Sequence, residues 1–292
     1  MKDLIVNADD LGWTAGVNRG IAEAHRNGIV TSTSLLANGP AFDDGVNVAR
    51  ALPALGVGVH LNLSDGAPVA GAKTARSLVD ENGKLSDGPE HLLLKLARRK
   101  LKLADVEREW DAQIEKIRGV GISPTHLDGH KHVHMLPGLF SIALRLARKH
   151  GIGAIRISNE ASSLRTALSG KSGKHAGVKL KQGIQARGLK LLASDARKLA
   201  QRAGIEATDY FCGIAQTGVL SRDGVLDLLE SLPEGTTELM CHPGYVDEDL
   251  ARSATRLQTS RATELAILTD TAVRKSVASH RIRLINYSQI AS

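Results

Sequence analysis

The sequence predicts an α/β protein of the irregular (β/α) TIM-like barrel class, with one domain and long rim loops. Eight short apolar segments alternate with longer segments of helical period along the 292 residues. Several apolar segments are hydrophobic on both faces, as parallel strands covered by helices are. The chain is long enough for one large α/β domain. A doubly wound open sheet is the alternative, but no Gly-x-Gly-x-x-Gly motif follows a predicted strand.

The predicted strands are the eight short apolar segments. In chain order they are Leu4–Ala8, Val30–Leu36, Gly56–Leu63, Pro124–His130, Ala154–Ser158, Tyr210–Ala215, Thr237–His242 and Arg281–Tyr287. The alternation of this many strands with helices, in a chain of this length, favours a barrel over an open sheet.

Apolar residues at helical spacing predict the helices between these strands. Ala104–Ile117 places four apolar side chains on one stripe. Val17–Asn27 is followed by Gly28, and glycine is typical of the position after a helix. The other predicted helices follow the same pattern: Leu139–His150, Leu189–Ala203, Gly224–Ser231 and Ser260–Leu268.

Two long segments interrupt the alternation, and we expect them to be rim insertions of a single catalytic domain, 1–292. The first, 64–103, begins with a run rich in Gly, Asp, Pro and Ser. The second, 161–190, belongs to an acid-free stretch, 161–194, whose seven Lys or Arg equal the net charge of +7 of the whole chain. Long loops in compact domains are often lids or binding loops. The basic stretch suits a phosphorylated or membrane-borne substrate, or is simply a solvated loop.

Composition limits the classes of function. The chain has only 3 Phe, 2 Trp and 3 Tyr, too few to interleave with basic residues as nucleic-acid-binding surfaces require. Its 2 Cys suit a reducing compartment. No segment approaches the ~18 uninterrupted apolar residues of a membrane span, and the first residues do not form a signal peptide. We expect a cytoplasmic protein without a nucleic-acid partner; peripheral contact with an anionic membrane and a homo-oligomer are both compatible.

Residues that can bind metal or transfer protons lie at the carboxyl ends of predicted strands. Asp9 and Asp10 end the first strand, His60 lies near the end of the third, and His242 ends the seventh. In a (β/α) barrel these ends meet at one rim, where such enzymes have their active sites. An Asp and two His around a divalent ion, with a further Asp and His, suit hydrolysis, because the metal acidifies a water and the other groups move protons.

The fourth predicted strand contains the densest group of such residues. While the chain stays extended, the period of two places five side chains on one side: His126, Asp128, His130, His132 and His134. The later ones rise out of the barrel as strand gives way to loop, so we expect one or two ligands with supporting partners. Each residue alone also has an ordinary structural explanation. Asp10 or Thr14, for example, would suit the start of the first helix, and Arg156 would suit a rim salt bridge.

These motifs resemble the YdjC-like carbohydrate deacetylase family, which includes diacetylchitooligosaccharide deacetylases and a hopanoid-biosynthesis branch. The resemblance extends from residue 4 to about residue 287, and the matching segments are VNADDLG, GIVTSTSLLANGPAF, LGVGVHLNL, PTHLDGHKHVHMLPG, IRISNE and ELMCHPGYVD. It implies an irregular (β/α) barrel and metal-dependent removal of an acetyl group from an N-acetylated amino sugar.

The resemblance also implies one divalent metal ion, with Asp10, His60 and His130 as its ligands. Family members are commonly described with Mg²⁺. Two imidazoles are softer ligands than magnesium prefers, so ligand chemistry alone favours Zn²⁺, and the metal stays open. Within the fourth strand, we expect His126 and Asp128 to support the ligands rather than to bind the metal.

The same resemblance assigns the proton transfers to Asp9 as the catalytic base and His242 as the general acid, with Arg156 orienting Asp9. Trp13 and Tyr245, which are close along the chain to the catalytic residues, are predicted to contact the sugar. So few aromatic rings suit a small glycan end better than a long polysaccharide. Two alternatives remain: a metal-binding barrel that acts as a binding or regulatory protein with little turnover, and a deacetylase of a hopanoid-linked sugar.

Overall fold

The computed structural model describes residues 1–85, 88–160, 164, 166, 168 and 195–290. In this part of the chain, seven parallel strands form one sheet, in the order β4-β3-β2-β1-β6-β5, with β7 beside the start of β1. The strands are β1 (Lys2–Leu11), β2 (Ser32–Leu35), β3 (Gly56–Leu61), β4 (Leu127–Gly129), β5 (Tyr210–Cys212), β6 (Gly235–Cys241) and β7 (Arg283–Leu284).

Helices follow most of the strands and cover the sheet. They are α1 (Ala15–Asn27), α2 (Phe42–Ala51), α3 (Pro89–Ala97), α4 (Leu103–Gly119), α5 (Leu139–His150), α6 (described over 195–203), α7 (Arg222–Ser231), α8 (Glu248–Arg252), α9 (Thr259–Leu268) and α10 (Thr271–Ser279). Short 3-10 helices span His130–Met135 and Tyr287–Gln289. The Thr14 hydroxyl, not Asp10, caps α1 by accepting a hydrogen bond from the Val17 N–H.

The strand order is that of a barrel rather than of a doubly wound sheet. Each strand from β1 to β4 lies beside its successor, and β6 returns to pair with β1. A doubly wound sheet instead reverses its strand order at a switch point in the middle. The α/β class is therefore confirmed, and the doubly wound alternative is excluded.

The sheet is a curled half-barrel, not the closed eight-stranded barrel. Its edge strands β4 and β5 are linked through 154–160, which makes only isolated parallel bridges: Ile155 with Leu127, and Glu160 with Phe211. The predicted strand Ala154–Ser158 therefore forms no continuous ladder. Of the two predicted insertions, 64–103 contains a loop and α3. The other, 161–190, lies outside the described residues apart from 164, 166 and 168, as does most of the basic stretch 161–194.

The core forms where the sequence places its apolar stripes. On α4 the four predicted side chains, Val106, Trp110, Ile114 and Ile117, have no exposed surface. Burial of four such side chains stabilises the fold by several kcal/mol, at about 1.5–3 kcal/mol each. None of the described helices is both long and apolar enough to cross a membrane.

Candidate active site

Three side chains from three chain segments meet at the carboxyl edge of the sheet. Asp10 lies near the end of β1, His60 on β3, and His130 directly after β4. Asp10 Oδ1 lies 3.0 Å from His130 Nδ1 and 3.5 Å from His60 Nε2, and the two nitrogens are 3.3 Å apart. Ligand atoms about 2.1 Å from a shared tetrahedral ion lie about 3.4 Å from one another. The triangle therefore has the size that a metal site requires.

The backbone around Asp10 explains why two consecutive carboxylates reach this edge. Neighbouring side chains on a strand normally point to opposite faces. The pairing of β1 with β2 shifts register between Ala8 and Leu11, and Asp10 has a left-handed φ of 74°. Asp9 and Asp10 therefore each form a close group with His60. A non-glycine residue in this conformation costs about 1–3 kcal/mol, a strain that is typical of functional sites.

Hydrogen bonds on its outer side fix the orientation of the His60 ring. His60 Nδ1 lies 2.7 Å from Asp128 Oδ1 and 3.1 Å from Ser34 Oγ. This leaves Nε2 directed at Asp10 and His130, as in histidines whose second nitrogen a carboxylate holds for metal binding. Burial alone would lower the pKa of His60, but Asp128 and Asp10 outweigh burial and raise the pKa to about 10. The pocket thus stabilises positive charge at this position.

Arg156 is a fully buried guanidinium that connects three carboxylates. Its Nη1 and Nη2 donate to Asp9 Oδ2 and Oδ1 at 2.8 and 2.7 Å. The same group lies 2.9 Å from Asp128 Oδ2, and its Nε donates to Glu238 Oε1 at 2.9 Å. Although burial alone would raise the pKa of Asp9, Arg156 lowers it below its usual value. Asp9 is therefore ionised at neutral pH.

His242 follows β6 and is almost completely buried. Its backbone N–H donates to Glu264 Oε2 on α9 at 2.6 Å. Burial lowers the pKa of the imidazole to about 4, although Asp10 and Asp9 favour its charged form. The ring is therefore neutral at pH 7 in the free protein.

Sequence reasoning missed two buried charged residues on α9. Arg261 Nη2 donates to Asp10 Oδ2 at 2.6 Å, and Glu264 holds the His242 backbone. Both lie on the buried face of α9, on the same stripe as Leu265 and Leu268. Charged residues are rarely buried without a partner. Two charged residues on an otherwise apolar helical stripe therefore indicate buried partners, and this was the signal in the sequence that could have identified Arg261 and Glu264.

We expect Glu264 to give the stability of the protein a specific pH dependence. Burial raises its pKa to about 7, against the opposing effects of the His242 N–H and Arg261. Its favourable contribution is complete below the unfolded value of 4.5 and is lost as the pH rises through 7. Relative to a Glu264→Gln variant, the wild type should lose on the order of 3 kcal/mol between pH 4.5 and pH 8. Urea unfolding at both pH values measures this difference; parallel pH profiles would contradict it.

The alternation of the histidines around β4 ends where the extended chain ends. The strand ends at Gly129, and the left-handed φ values of Lys131 (52°) and His132 (59°) turn the chain into a 3-10 helix. His132 Nδ1 then lies 2.9 Å from Ser158 Oγ, and His134 Nε2 lies 3.0 Å from the Arg156 carbonyl. His132 and His134 therefore lie beyond the extended segment, as expected where the strand gives way to a loop, and their hydrogen bonds join this segment to residues 156–158.

His126 and Asp128 were both expected to support the ligands, and their contacts differ. The ring of His126 stacks on Tyr287, with ring centroids 3.9 Å apart, and its Nδ1 contacts the Thr125 hydroxyl. A Cβ at Gly58 would lie only 2.3 Å from this ring, so the glycine makes room for it. Burial lowers the pKa of His126 to about 3. The described contacts of His126 thus include no hydrogen bond to the predicted ligands.

The two aromatic residues predicted to contact sugar have different surroundings. Trp13 stacks on His130, with ring centroids 5.5 Å apart, and therefore lies against the triangle. Tyr245 instead contacts α1: its hydroxyl donates to Glu23, and Arg19 lies over its ring. The structure brings Trp13, but not Tyr245, into contact with the predicted ligands.

The charges of the site suit a divalent cation. Among the residues that the structure describes, five buried carboxyl groups and two buried guanidinium groups surround the triangle or its partners; these seven residues are Asp9, Asp10, Asp128, Glu238, Glu264, Arg156 and Arg261. Buried charges require a counter-charge or a metal. A carboxylate and two oriented imidazoles are ligands that divalent metals accept.

The fold and the site define an α/β protein with a curled parallel sheet and a buried carboxylate–imidazole cluster at its carboxyl edge. The family model for YdjC-like proteins matches residues 3–279, and the chain belongs to that family. The matched range contains every residue of the cluster.

Curated relatives and a solved structure match nearly the full length. The carbohydrate deacetylase of Geobacillus stearothermophilus is 35% identical over 286 residues, which cover 98% of this chain and 96% of the relative. The chitooligosaccharide deacetylase of Salmonella paratyphi B is 35% identical, with 96% of each chain covered. A crystal structure from Enterococcus faecalis V583, described as a candidate cellobiose-phosphate cleavage protein, is 30% identical, has a TM-score of 0.79, and aligns over 100% of this chain and 99% of that one.

Proposed function

We propose that the chain is a metal-dependent hydrolase that removes an acetyl group from an N-acetylated amino sugar. The main observation is the triangle of Asp10, His60 and His130, with the ionised carboxylate of Asp9 beside it. The relatives named as carbohydrate and chitooligosaccharide deacetylases support the substrate class.

In this proposal Asp10, His60 and His130 hold one divalent metal ion. When bound, such an ion lowers the pKa of a water molecule and polarises the carbonyl group under attack. The resemblance to the family ranks Mg²⁺ first, whereas two imidazoles and one carboxylate favour Zn²⁺. Asp128 holds His60 by its other ring nitrogen, so that Nε2 is the nitrogen that would bind the metal, with release of its proton.

Asp9 is the base in this proposal. Its carboxylate is ionised at neutral pH, so it can accept a proton from the attacking water. Arg156 contacts both of its oxygens, and Asn7 donates to Oδ1 at 2.9 Å. These three hydrogen bonds fix the direction of the carboxylate, as a base that acts on one bound water requires.

His242 gives a proton to the leaving amine. Because the imidazole is neutral in the free protein, it must first take up a proton, which balances the proton that Asp9 removes from the attacking water. The charged form is stabilised by Asp10 and Asp9, which both act to raise its pKa. Glu264 holds the backbone of His242 and thereby the direction of the ring. Trp13, stacked on His130, offers an aromatic face beside the reacting group.

The proposal is tested by release of acetate from a panel of N-acetylglucosamine compounds: free chito-oligosaccharides, sugar phosphates, and a lipid-linked amino sugar. The full chain is assayed with Mg²⁺ or Zn²⁺ added back. We expect release from at least one compound and none without metal. The compound cleaved fastest identifies the substrate class and separates a soluble glycan from a hopanoid-linked sugar. No release from any compound, with metal bound, would favour a binding or regulatory protein.

A further inference from the structure

The loop that follows β3 brings a carboxylate to the outer side of His130. Asp65 Oδ2 lies 3.2 Å from His130 Nε2, whereas His130 Nδ1 faces Asp10. His60 has the same arrangement, with one ring nitrogen facing the triangle and the other held by Asp128. Both imidazoles therefore have a carboxylate on the side away from the triangle.

We propose that Asp65 is a positioning residue for His130. Its carboxylate accepts the Nε2 proton, fixes the tautomer, and leaves Nδ1 free to bind the metal. A carboxylate bonded to an imidazole ligand also makes the ligand more basic, and loss of such a partner typically weakens metal binding or activity about 10–100-fold. This inference rests on the metal site proposed above. Nothing in the pattern of the sequence distinguishes Asp65 from the other polar residues of its loop.

Carboxamide side chains hold the backbone of Asp65 in place. Asn62 Oδ1 accepts from the N–H groups of Ser64 and Asp65 at 2.9 and 3.2 Å. The amide nitrogens of Asn62 and Asn38 both donate to the Asp65 carbonyl at 2.8 Å. The position of the carboxylate is thus set before any ligand binds.

Polar side chains along one face of α4 hold the rest of this loop by hydrogen bonds. Gln113 Oε1 accepts a hydrogen bond from the Asn62 N–H. Glu109 accepts from the backbone N–H groups of residues 69 and 70, and Asp105 accepts from the backbone N–H of Ser77. These three residues are four positions apart, so they lie along one face of the helix. All three are buried, and buried polar groups at this spacing have no role in the apolar core. Their hydrogen bonds hold the loop in one conformation, in which Asp65 lies beside His130.

Lys131 offers a second partner to the same carboxylate. Its Nζ lies 2.6 Å from Asp65 Oδ2, so Asp65 is shared between an ammonium group and an imidazole. The Asp65 side chain is 34% exposed, whereas Asp128 is fully buried. Asp65 can therefore be replaced without disturbing the core.

The test is the affinity of the full chain for Zn²⁺, and for Co²⁺ as a spectroscopic probe, measured by calorimetry with a competing chelator. We expect Asp65→Asn to lower the affinity for both metals about 10–100-fold and to change the visible absorption of bound Co²⁺. At saturating metal, kcat of Asp65→Asn should return to near the wild-type value, because Asp65 acts on His130 and not on the substrate. Asp249→Asn, at an exposed position on α8, is the matched control and should leave both affinities unchanged.

Two further variants separate the explanations. Lys131→Met should leave metal affinity unchanged or higher, because His130 is then the one ionisable partner of Asp65 among the described residues. If Lys131→Met lowers metal affinity as much as Asp65→Asn does, Asp65 serves only the ion pair and the proposal fails. His60→Ala should lose most of the metal. Wild-type affinity in Asp65→Asn, with metal lost in His60→Ala, would overturn the role of Asp65 alone. Unchanged affinity in both would overturn the metal site itself.

Discussion

Asp9→Asn is expected to lower kcat about 10²–10⁴-fold, the usual contribution of a general base, while the chain keeps its metal. Asparagine has the shape of aspartate but accepts no proton at neutral pH. The measurement is the rate of acetate release at saturating substrate, together with the metal content of the same sample. Because Asp9 also balances the buried guanidinium of Arg156, the replacement should lower stability as well, and the rate is therefore measured on protein shown to be folded.

Two results would show that Asp9 has another role. A rate within about tenfold of the wild type would exclude it as the general base, because that effect is below the range for this kind of catalysis. If the variant loses its metal, Asp9 is itself a metal ligand. Its position close to His60 and Asp128 is compatible with that role. Asp249→Asn again serves as the control at an exposed carboxylate.

Arg156→Met is expected to lower the free energy of unfolding by about 3–5 kcal/mol, since it removes one partner from a buried charge network. Methionine fills part of the volume but leaves Asp9, Asp128 and Glu238 without the guanidinium that now contacts all three. Urea unfolding of the metal-free protein at pH 7 measures the change without any contribution from metal binding.

Arg156→Lys is the matched variant, because it keeps the charge but not the planar fork that reaches several oxygens at once. We expect it to recover part of the lost stability. A loss below about 1 kcal/mol in Arg156→Met would mean that the carboxylates take up protons instead of remaining charged. In that case the ionised state of Asp9 in the wild type would depend on its contact with Arg156.

The sequence predicted the parts of the fold that follow from periodic burial. The bounds of α5 agree with the prediction at both ends, and the apolar stripe of α4 is buried as expected. Because parallel strands end at one edge, the approach of Asp10, His60 and His130 also followed from their positions in the strands. These predictions depend on period and topology, which a single sequence displays.

The remaining features depend on local backbone geometry and on distant contacts. Two consecutive left-handed residues after β4, neither of them glycine, turn the chain toward residues 156–158, where His132 and His134 find their hydrogen-bond partners. Arg261 meets Asp10 across 251 positions of sequence, and Asp65 reaches His130 only because buried amides hold its loop. No periodic pattern specifies such contacts, so sequence reasoning did not find them.

The proposed deacetylase activity requires one bound divalent metal ion. The most direct measurement removes metal with a chelator, adds back Zn²⁺ or Mg²⁺ in steps, and follows acetate release from diacetylchitobiose at each occupancy. We expect no release from the stripped protein and a rate that rises in proportion to occupancy until one ion per chain is bound. Acetate release that is independent of occupancy, or a fully loaded protein that releases none from this or any other N-acetylated sugar, would contradict it.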